Sequence, residues 1–379
     1  MNNPDSVISL LQELVKIPSV NPDSAPGQDA PGEKQCAERV GEFLKHCGAE
    51  VSFEEVLPGR PNVIGRFPGG ENKPGLLFAP HTDTVSVRGM TIEPFSGEIR
   101  DGKLFGRGAS DTKGTMAAML WSLHELREVI PSLSHAVTFV GLMGEEAGQP
   151  GAIHFAEHHA DEFSFAVVGE PTGLETVHAS KGCVWLELST EGVSCHGSTP
   201  ERGENAIRKL LPVLEPLLVA LERELPSFSD PVLGNPTVSL GEFSGGSSPN
   251  IVPSSCRAVL DFRETPAFHA AGGCEALVSR LLADFDPQGK ISTRILGHSV
   301  PLFTDPETDG VKRLQSIGSK LTTAPWFCDA GRLGEKGLAA VAVGPGNIAQ
   351  AHTKDEFLAI EDLENGVKFY SDFIRTFQS

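Results

Sequence analysis

The chain has 379 residues, 39% of them hydrophobic, with 41 glycines and 28 prolines. This composition is typical of a globular, loop-rich protein and excludes a coiled coil or a disordered chain, and the length corresponds to about two domains. The formal net charge of −19 argues against a nucleic-acid partner, because an acidic surface repels phosphate. No apolar run approaches the ~20 residues of a membrane span, so we expect no membrane partner.

Cysteine usage and the N-terminal segment favour the cytoplasm. The number of cysteines is odd and no two of them have C-x-x-C spacing, which indicates reduced thiols rather than a disulfide framework. The N-terminal segment lacks the basic and apolar regions of a signal peptide. It instead predicts an amphipathic helix with Leu10, Leu11 and Leu14 on one face.

The first 180 residues alternate between buried strands and helices. Strands are predicted within 49–67 and at 75–80, 135–143 and 165–171, helices at 113–129 and 151–160, and a turn at 71–75. This alternation predicts an α/β fold whose parallel or mixed sheet carries helices on both faces.

The pattern changes near Lys181. Residues 181–297 follow the order β-α-β-β-α-β, which is typical of a small α+β sandwich. Helix and strand alternate again after Pro301, with a buried strand at 337–346. We therefore predict one α/β domain formed by residues 1–180 and 298–379, interrupted by an inserted domain of residues 181–297; the residues discussed next make the former the candidate catalytic, metal-binding domain.

Polar side chains follow the predicted buried strands at the points where the strands end. Each also has a structural alternative: Asp111 could cap the next helix, and paired glutamates are often just a solvated surface. The carboxyl ends of strands in an open α/β sheet meet at one edge, however, so we expect these groups to converge. The set comprises His81 and Asp83, Asp111 in a glycine-rich loop, Glu145 and Glu146, Glu170, and His352.

Such a cluster predicts a metal centre, since buried carboxylates without compensation are costly. Two histidines and three carboxylates form a mixed set of nitrogen and oxygen ligands that suits zinc. Five ligands are too many for one tetrahedral ion with an open position, and they suit two ions about 3.5–4 Å apart that share one carboxylate. The adjacent glutamates Glu145 and Glu146 end an extended strand, so we expect their side chains to point to opposite sides. Gly144 and Gly148 would allow a tight turn beside them.

The ordered motifs of the chain resemble those of the M20 metallopeptidases and deacylases over nearly the whole length. They are HTDTV, GRGASDTKG, GEEAG, GEPT, CHGSTPERGENAI, PNIVPSSCRAVLDFR and GPGNIAQAH. The resemblance implies a zinc-peptidase-like catalytic domain and an inserted lid or dimerisation domain, hence a homodimer. It also implies two zinc ions per subunit, with cobalt as an alternative ion, and a cis peptide bond between Asp111 and Thr112.

The resemblance assigns a role to each candidate residue. It implies that Glu145 is the general base and that Asp83 holds the His81 ring. In the inserted domain it implies that His196 contacts the scissile carbonyl, and that Asn250 and Arg263 bind the substrate carboxylate. Arg263 has a structural alternative as a strand residue paired with Asp261. The implied zinc ligands are His81 and Glu170 on one ion, Glu146 and His352 on the other, and Asp111 bridging both.

The implied reaction is metal-dependent hydrolysis of the amide bond of an N-acyl amino acid. The segment around His352 is most similar to acetylornithine deacetylases, which favours N²-acetylornithine and a place in arginine biosynthesis. The segment DAGRL is similar to one in the desuccinylases, although Arg332 stands one residue late. Succinyl-diaminopimelate, other aminoacylase or carboxypeptidase substrates, and a catalytically silent binding module of the same fold remain alternatives.

Overall fold

The structure is a computed structural model that describes residues 4–24, 30–69 and 74–378. The turn predicted at 71–75 begins outside these ranges. The chain divides into two compact units. Unit 1 comprises Met1–His178, Thr304–Thr322 and Cys328–Ser379, and unit 2 comprises Ala179–Phe303 and Thr323–Phe327.

The described ranges contain ten α-helices and sixteen strands. The helices are α1 (Val7–Lys16), α2 (Lys34–His46), α3 (Lys113–Glu125), α4 (Pro150–His159), α5 (Ala206–Glu224), α6 (Pro266–Ala270), α7 (Gly273–Phe285), α8 (Asp309–Ser316), α9 (Asp329–Glu335) and α10 (Ile360–Arg375). The strands are β1 (Glu50–Leu57), β2 (Arg60–Phe67), β3 (Gly75–Pro80), β4 (Glu98–Arg100), β5 (Lys103–Phe105), β6 (Val137–Gly141), β7 (Phe163–Gly169), β8 (Thr176–Ser180), β9 (Gly182–Glu191), β10 (Thr237–Gly245), β11 (Ser255–Glu264), β12 (Ser292–Ser299), β13 (Leu302–Phe303), β14 (Leu321–Ala324), β15 (Ala340–Ala342) and β16 (Phe357–Ala359).

Unit 1 is built on a mixed sheet, which confirms the predicted α/β fold. Its strands run in the order β1-β2-β6-β3-β7-β15-β8. The central strands β6, β3, β7 and β15 are parallel to one another, whereas β1 pairs antiparallel with β2, β2 with β6, and β8 with β15. Every residue of β3, β6 and β15 is buried, as expected for strands covered on both faces.

The helices of unit 1 bury apolar faces in one large core. The predicted N-terminal helix is α1, and its Leu10, Leu11 and Leu14 are fully buried. Helices α3 and α10 contribute to the same core, and the Tyr370 hydroxyl of α10 donates a hydrogen bond to the Val343 carbonyl oxygen beyond β15 (2.7 Å). The strand expected over 337–346 is short, spanning only Ala340–Ala342.

Unit 2 contains a four-stranded antiparallel sheet in the order β10-β11-β9-β12. Helices α5 and α7 pack on it around buried leucines and Phe262. Helix α5 includes both Pro212 and Pro216, as the sequence predicts. No sequence pattern indicates that Thr323–Phe327 also belongs to this unit; there the Lys181 N–H donates to the Ala324 carbonyl oxygen (3.1 Å).

None of the helices in the described ranges combines the length and the apolar character that crossing a bilayer requires.

Candidate metal centre

The predicted ligands lie where the parallel strands of unit 1 end. His81 directly follows β3, Glu145 and Glu146 are the fourth and fifth residues after β6, and Glu170 directly follows β7. Because β6, β3 and β7 are parallel neighbours, their carboxyl ends lie at one edge of the sheet. Asp111 is contributed by the loop before α3.

Four of the predicted ligands form a continuous chain of contacts. His81 Nε2 lies 3.1 Å from Asp111 Oδ1, and His352 Nε2 lies 3.4 Å from Asp111 Oδ2. His352 Nε2 also lies 3.1 Å from Glu146 Oε2. Asp111 therefore offers one carboxylate oxygen to each histidine.

This arrangement fits a two-ion centre. Ligand atoms of His81, Asp111 and Glu146 all lie within 4.8 Å of one another. A carboxylate between two imidazoles, with one oxygen towards each, is the geometry that a bridging ligand requires. His352 has a φ angle of 61°, a left-handed conformation that is uncommon for residues other than glycine and is concentrated at functional sites.

The charges of these groups are strongly coupled. Burial opposes protonation of His81, but its hydrogen bonds with Asp111 and Asp83 outweigh burial and raise its pKa well above the usual value. Hydrogen bonds with Asp111 and Glu146 raise the pKa of His352 to about 10. The metal-free site therefore carries protons on the groups that a divalent ion would deprotonate.

Glu145 and Glu170 are buried beside this chain of contacts. Burial raises the pKa of Glu145 well above its usual value, and the charges of Glu170 and Asp329 add to that effect. Burial likewise raises the pKa of Glu170, together with the charge of Asp111. Carboxylates whose pKa is raised in this way are candidates for proton transfer or for metal binding.

Asp83 joins the ends of β3 and β6. Its Oδ1 accepts the Glu145 N–H (3.1 Å), and its Oδ2 accepts the Glu146 N–H (3.0 Å) and the Asn21 side-chain amide (2.7 Å). His81 Nδ1 donates to the Asp83 carbonyl oxygen (3.0 Å) and lies 3.4 Å from Asp83 Oδ1. Asp83 is thus placed to orient the His81 ring and the glutamate pair together.

The expectation that the glutamate pair lies on extended backbone is wrong. Strand β6 ends at Gly141, and Glu145 and Glu146 lie in a turn. The directions of the two side chains are therefore set by this turn and not by the alternation of side chains along a strand. Asp83 holds the backbone of the turn. Gly144 and Gly148 have φ angles of 78° and 81°, which gives them the predicted role in the turn.

A buried carboxylate that the sequence analysis did not single out holds the loop of Asp111. Glu356 Oε1 accepts the backbone N–H groups of Ser110 and Asp111, both at 2.9 Å. Its Oε2 accepts from Arg107 Nη1 (2.8 Å) and the Gly108 N–H (3.0 Å). Glu356 stands four residues after His352, so its place within AHTKDE is the one signal that could have drawn attention to it.

Two further buried side chains near the centre were also missed. Asp329 accepts a hydrogen bond from Gln149 Nε2 (3.1 Å), and burial raises the pKa of Asp329 to about 7. Gln149 has a φ angle of 60° and no exposed surface. Asp329 begins the DAGRL segment, in which the sequence analysis considered only Arg332.

The peptide bond between Asp111 and Thr112 is cis, as the resemblance implies.

Two of the three residues predicted in the inserted domain lie together in unit 2. The Gly197 N–H donates to the Asn250 carbonyl oxygen (2.7 Å), and His196 forms a β-bridge with Ile251. His196 Nδ1 accepts from the Ser198 N–H (3.2 Å), so the ring nitrogen that can donate is Nε2. His196 and Asn250 are both exposed.

Arg263 lies elsewhere, on β11. Its Nε and Nη2 donate to the two carboxylate oxygens of Asp261, at 2.8 and 3.1 Å. Asp261 also accepts from Trp185 Nε1 (3.1 Å). The Arg263–Asp261 ion pair is the structural alternative that the sequence analysis gives for Arg263. Binding of a substrate carboxylate by Arg263 stays a prediction.

Relatives and solved structures resemble the chain over its full length. It is 27% identical over 380 residues to a protein of Proteus mirabilis named acetylornithine deacetylase, covering 98% of this chain and 96% of that one. An M20 family metallo-carboxypeptidase from Sulfolobus solfataricus has the same fold, with a TM-score of 0.77, 21% identity and 99% and 100% coverage. A dinuclear metal-binding M20 peptidase from Bacillus subtilis gives a TM-score of 0.70, with 14% identity and 98% and 97% coverage.

A match to a protein family covers most of the sequence. The sequence model described as peptidase family M20/M25/M40 matches residues 77–376. This range includes all the predicted ligands and the whole of unit 2. The match confirms the family and the class of metal-dependent hydrolase that the ordered motifs predict. The chain belongs to the peptidase family M20/M25/M40.

Proposed function

We propose that the protein removes the acetyl group from N²-acetylornithine by hydrolysing its amide bond, a step of arginine biosynthesis. The observation that carries the proposal is the Asp111 carboxylate placed between His81 and His352, with Glu145 buried beside it. Full-length similarity to relatives named acetylornithine deacetylase supports the choice of substrate.

We assign the metal ligands from the donor set in unit 1. His81 and Glu170 would hold one ion, Glu146 and His352 the other, and Asp111 would bridge both. Two bound zinc ions would supply Lewis acidity, polarising the amide carbonyl and lowering the pKa of the attacking water. Cobalt offers similar coordination chemistry and is the alternative ion.

Glu145 is the proposed general base. Burial and neighbouring carboxylates raise its pKa, so it binds a proton more readily than an exposed glutamate. It would accept the proton of the attacking water and return it to the leaving amine. The Glu145 N–H bond to Asp83 fixes the backbone from which this side chain projects.

We propose roles for the residues of unit 2 from the family resemblance. His196 would stabilise the oxyanion of the tetrahedral intermediate by donating from Nε2, since its Nδ1 already accepts a hydrogen bond from the Ser198 N–H. Asn250 and Arg263 would bind the substrate carboxylate, and for Arg263 this requires release from Asp261.

We propose that unit 2 is the lid and dimerisation domain, and that the protein is a homodimer. Strand β10 lies at an edge of its sheet, and its Leu240 and Phe243 are 40% and 41% exposed. An edge strand with exposed apolar side chains is suited to pairing with another chain.

We also propose a cytoplasmic location. It fits the seven cysteines, which all lie within the described ranges and are all free thiols.

Two substitutions in the glutamate pair test the assignment of the centre. Glu145→Gln should retain both metal ions and lose most turnover, because the proton acceptor is removed and the ligands are not. Glu146→Gln should lose metal. Zinc content by atomic emission and turnover of N²-acetylornithine are the measurements. Full activity in Glu145→Gln would show that the base is misassigned.

A substrate panel tests the reaction itself. The purified zinc or cobalt protein is assayed on N²-acetylornithine, N-acetylcitrulline, N-succinyl-diaminopimelate and simple N-acetyl amino acids. We expect the highest kcat/KM on N²-acetylornithine. Activity on the succinyl compound alone would refute this choice, and a protein that binds metal but hydrolyses none of the panel would favour the silent binding module.

A further inference from the structure

A second group of metal-binding side chains lies in unit 2, outside the proposed catalytic centre. Glu264, His269 and His298 each offer one ligand atom, and these three atoms lie within 4.8 Å of one another. Glu264 ends β11, His269 lies on α6, and His298 lies near the end of β12. Residues from three separate elements thus converge at one end of the small sheet.

The strand register explains how Glu264 and His298 approach each other. Strand β9 lies between β11 and β12, with Glu264 opposite Gly182, and with Phe262 and His298 both opposite Val184. Residues opposite each other share a sheet face, as do residues two apart, so Glu264 and His298 lie on one face. The strand between them contributes Gly182 opposite Glu264, where an added methyl group would lie 2.6 Å from the Ser299 carbonyl oxygen.

The carboxylate of Glu264 is held in a fixed orientation. Its Oε1 accepts the Cys274 N–H (2.7 Å) in the first turn of α7, and its Oε2 lies 2.9 Å from His269 Nδ1. A methyl group added at Gly273 would lie 2.5 Å from Oε1, so glycine is what allows this close approach. Glu264 is only 2% exposed, and the orientation of a ligand by such contacts is typical of metal sites.

The two histidines provide the remaining donors and an entry path. Their ring centroids are 5.7 Å apart with an interplanar angle of 33°. Both rings are partly exposed, so an ion can reach them from solvent. Two imidazoles and one carboxylate, with a fourth position left for water, form one of the ligand sets that zinc takes in proteins.

We propose that Glu264, His269 and His298 bind one zinc ion, separate from the two-ion centre of unit 1. A bound ion would take the place of the His269 Nδ1 proton that bonds to Glu264, and this proton would be released to solvent. The bound ion links β11, α6 and β12, and therefore stabilises unit 2. This proposal does not depend on which substrate the protein hydrolyses.

Metal stoichiometry of the full-length protein tests the proposal. Protein stripped of metal by a chelator is titrated with Zn²⁺ alone, in competition with a chromophoric chelator, as wild type and as His269→Gln and His298→Gln. Each variant should bind one zinc ion fewer than wild type, whatever the total. His158→Gln removes an exposed histidine of α4, whose ring is tilted by 31° against that of His154, and serves as the matched control.

The same titration in a Glu146→Gln background separates the two sites. There the difference of one ion between the parent and its His269→Gln derivative should persist, because the ligands in unit 2 are unchanged. Zinc should also raise the thermal midpoint of the parent more than that of the derivative. Equal stoichiometry in the parent and both unit 2 variants, or a loss seen only in His158→Gln, would overturn the proposal.

Discussion

Replacing Glu356 with glutamine should disrupt the loop that carries the proposed bridging ligand. Both carboxylate oxygens of Glu356 are fully used, and each accepts two N–H donors of the segment 107–111. Glutamine has the same shape but replaces one of these oxygens with an NH₂ group. Whichever way the amide turns, two of the four donors then face another donor.

The cost follows from burial of the donors. Arg107, Ser110 and Asp111 are each at most 7% exposed, so water cannot replace the lost acceptor. A buried unsatisfied donor costs about 1–3 kcal/mol, so two of them cost about 2–6 kcal/mol. That is a large part of the ~5–15 kcal/mol by which a typical domain is stable. The loop should therefore open locally, and Asp111 should no longer be held between the two histidines.

Urea unfolding of the metal-free protein measures the loss of stability in Glu356→Gln. Hydrogen exchange of the segment 106–112 then measures the local opening of the loop, and zinc titration measures the effect on metal binding. We expect a midpoint lowered by about 1 M, faster exchange in this segment, and weaker zinc binding. Glu364→Gln is the control, because Glu364 is exposed on α10 and its change should stay within about 0.5 kcal/mol. A Glu356→Gln protein with the wild-type midpoint and zinc affinity would refute the reasoning.

Two other predictions concern pH and packing. His81 and His352 have raised pKa values in the metal-free protein and must lose their protons to bind zinc. The logarithm of the zinc association constant should therefore rise with pH, with a slope of about two between about pH 6 and 8. Calorimetry in buffers of different ionisation enthalpy measures the number of protons released, and a slope of zero would contradict the prediction. In Gly151→Ala the added methyl group would lie 2.3 Å from the Met143 carbonyl oxygen, so the free energy of unfolding should fall by about 1–3 kcal/mol. In the control Gly241→Ala the nearest atom to the added methyl group is 3.7 Å away, so the free energy of unfolding should not change.

The sheet edge and the polar side chains that gather there could be predicted because the signal is local. Each strand of unit 1 that precedes a proposed ligand is an apolar run, and His81, Glu146 and Glu170 follow these runs within five residues. Parallel strands then bring the ligands together by topology alone. The prediction of an inserted domain rests on a similar local signal, the change from buried strands to alternating ones near Lys181.

The supporting residues could not be predicted in the same way. Glu356 bonds to Asp111 across 245 positions of the chain, from a loop without helical or strand periodicity. Asp329 bonds to Gln149 across 180 positions. Such contacts depend on where two loops meet after folding, and a single sequence does not indicate that. The return of Thr323–Phe327 to unit 2 has the same origin, since a main-chain bond to Ala324 has no side-chain signal.

The adjacent glutamates show how one structural carboxylate separates two chemical roles. Glu145 and Glu146 lie in a turn, and each presents its N–H to a different oxygen of Asp83. The backbone that Asp83 fixes lets Glu146 reach His352 (3.1 Å), while Glu145 is influenced by Glu170 and Asp329. Asp83 also contacts the His81 ring, so the proposed base and one proposed ligand of each ion share one anchor. Loss of the Asp83 charge would therefore disturb proton transfer and metal binding together.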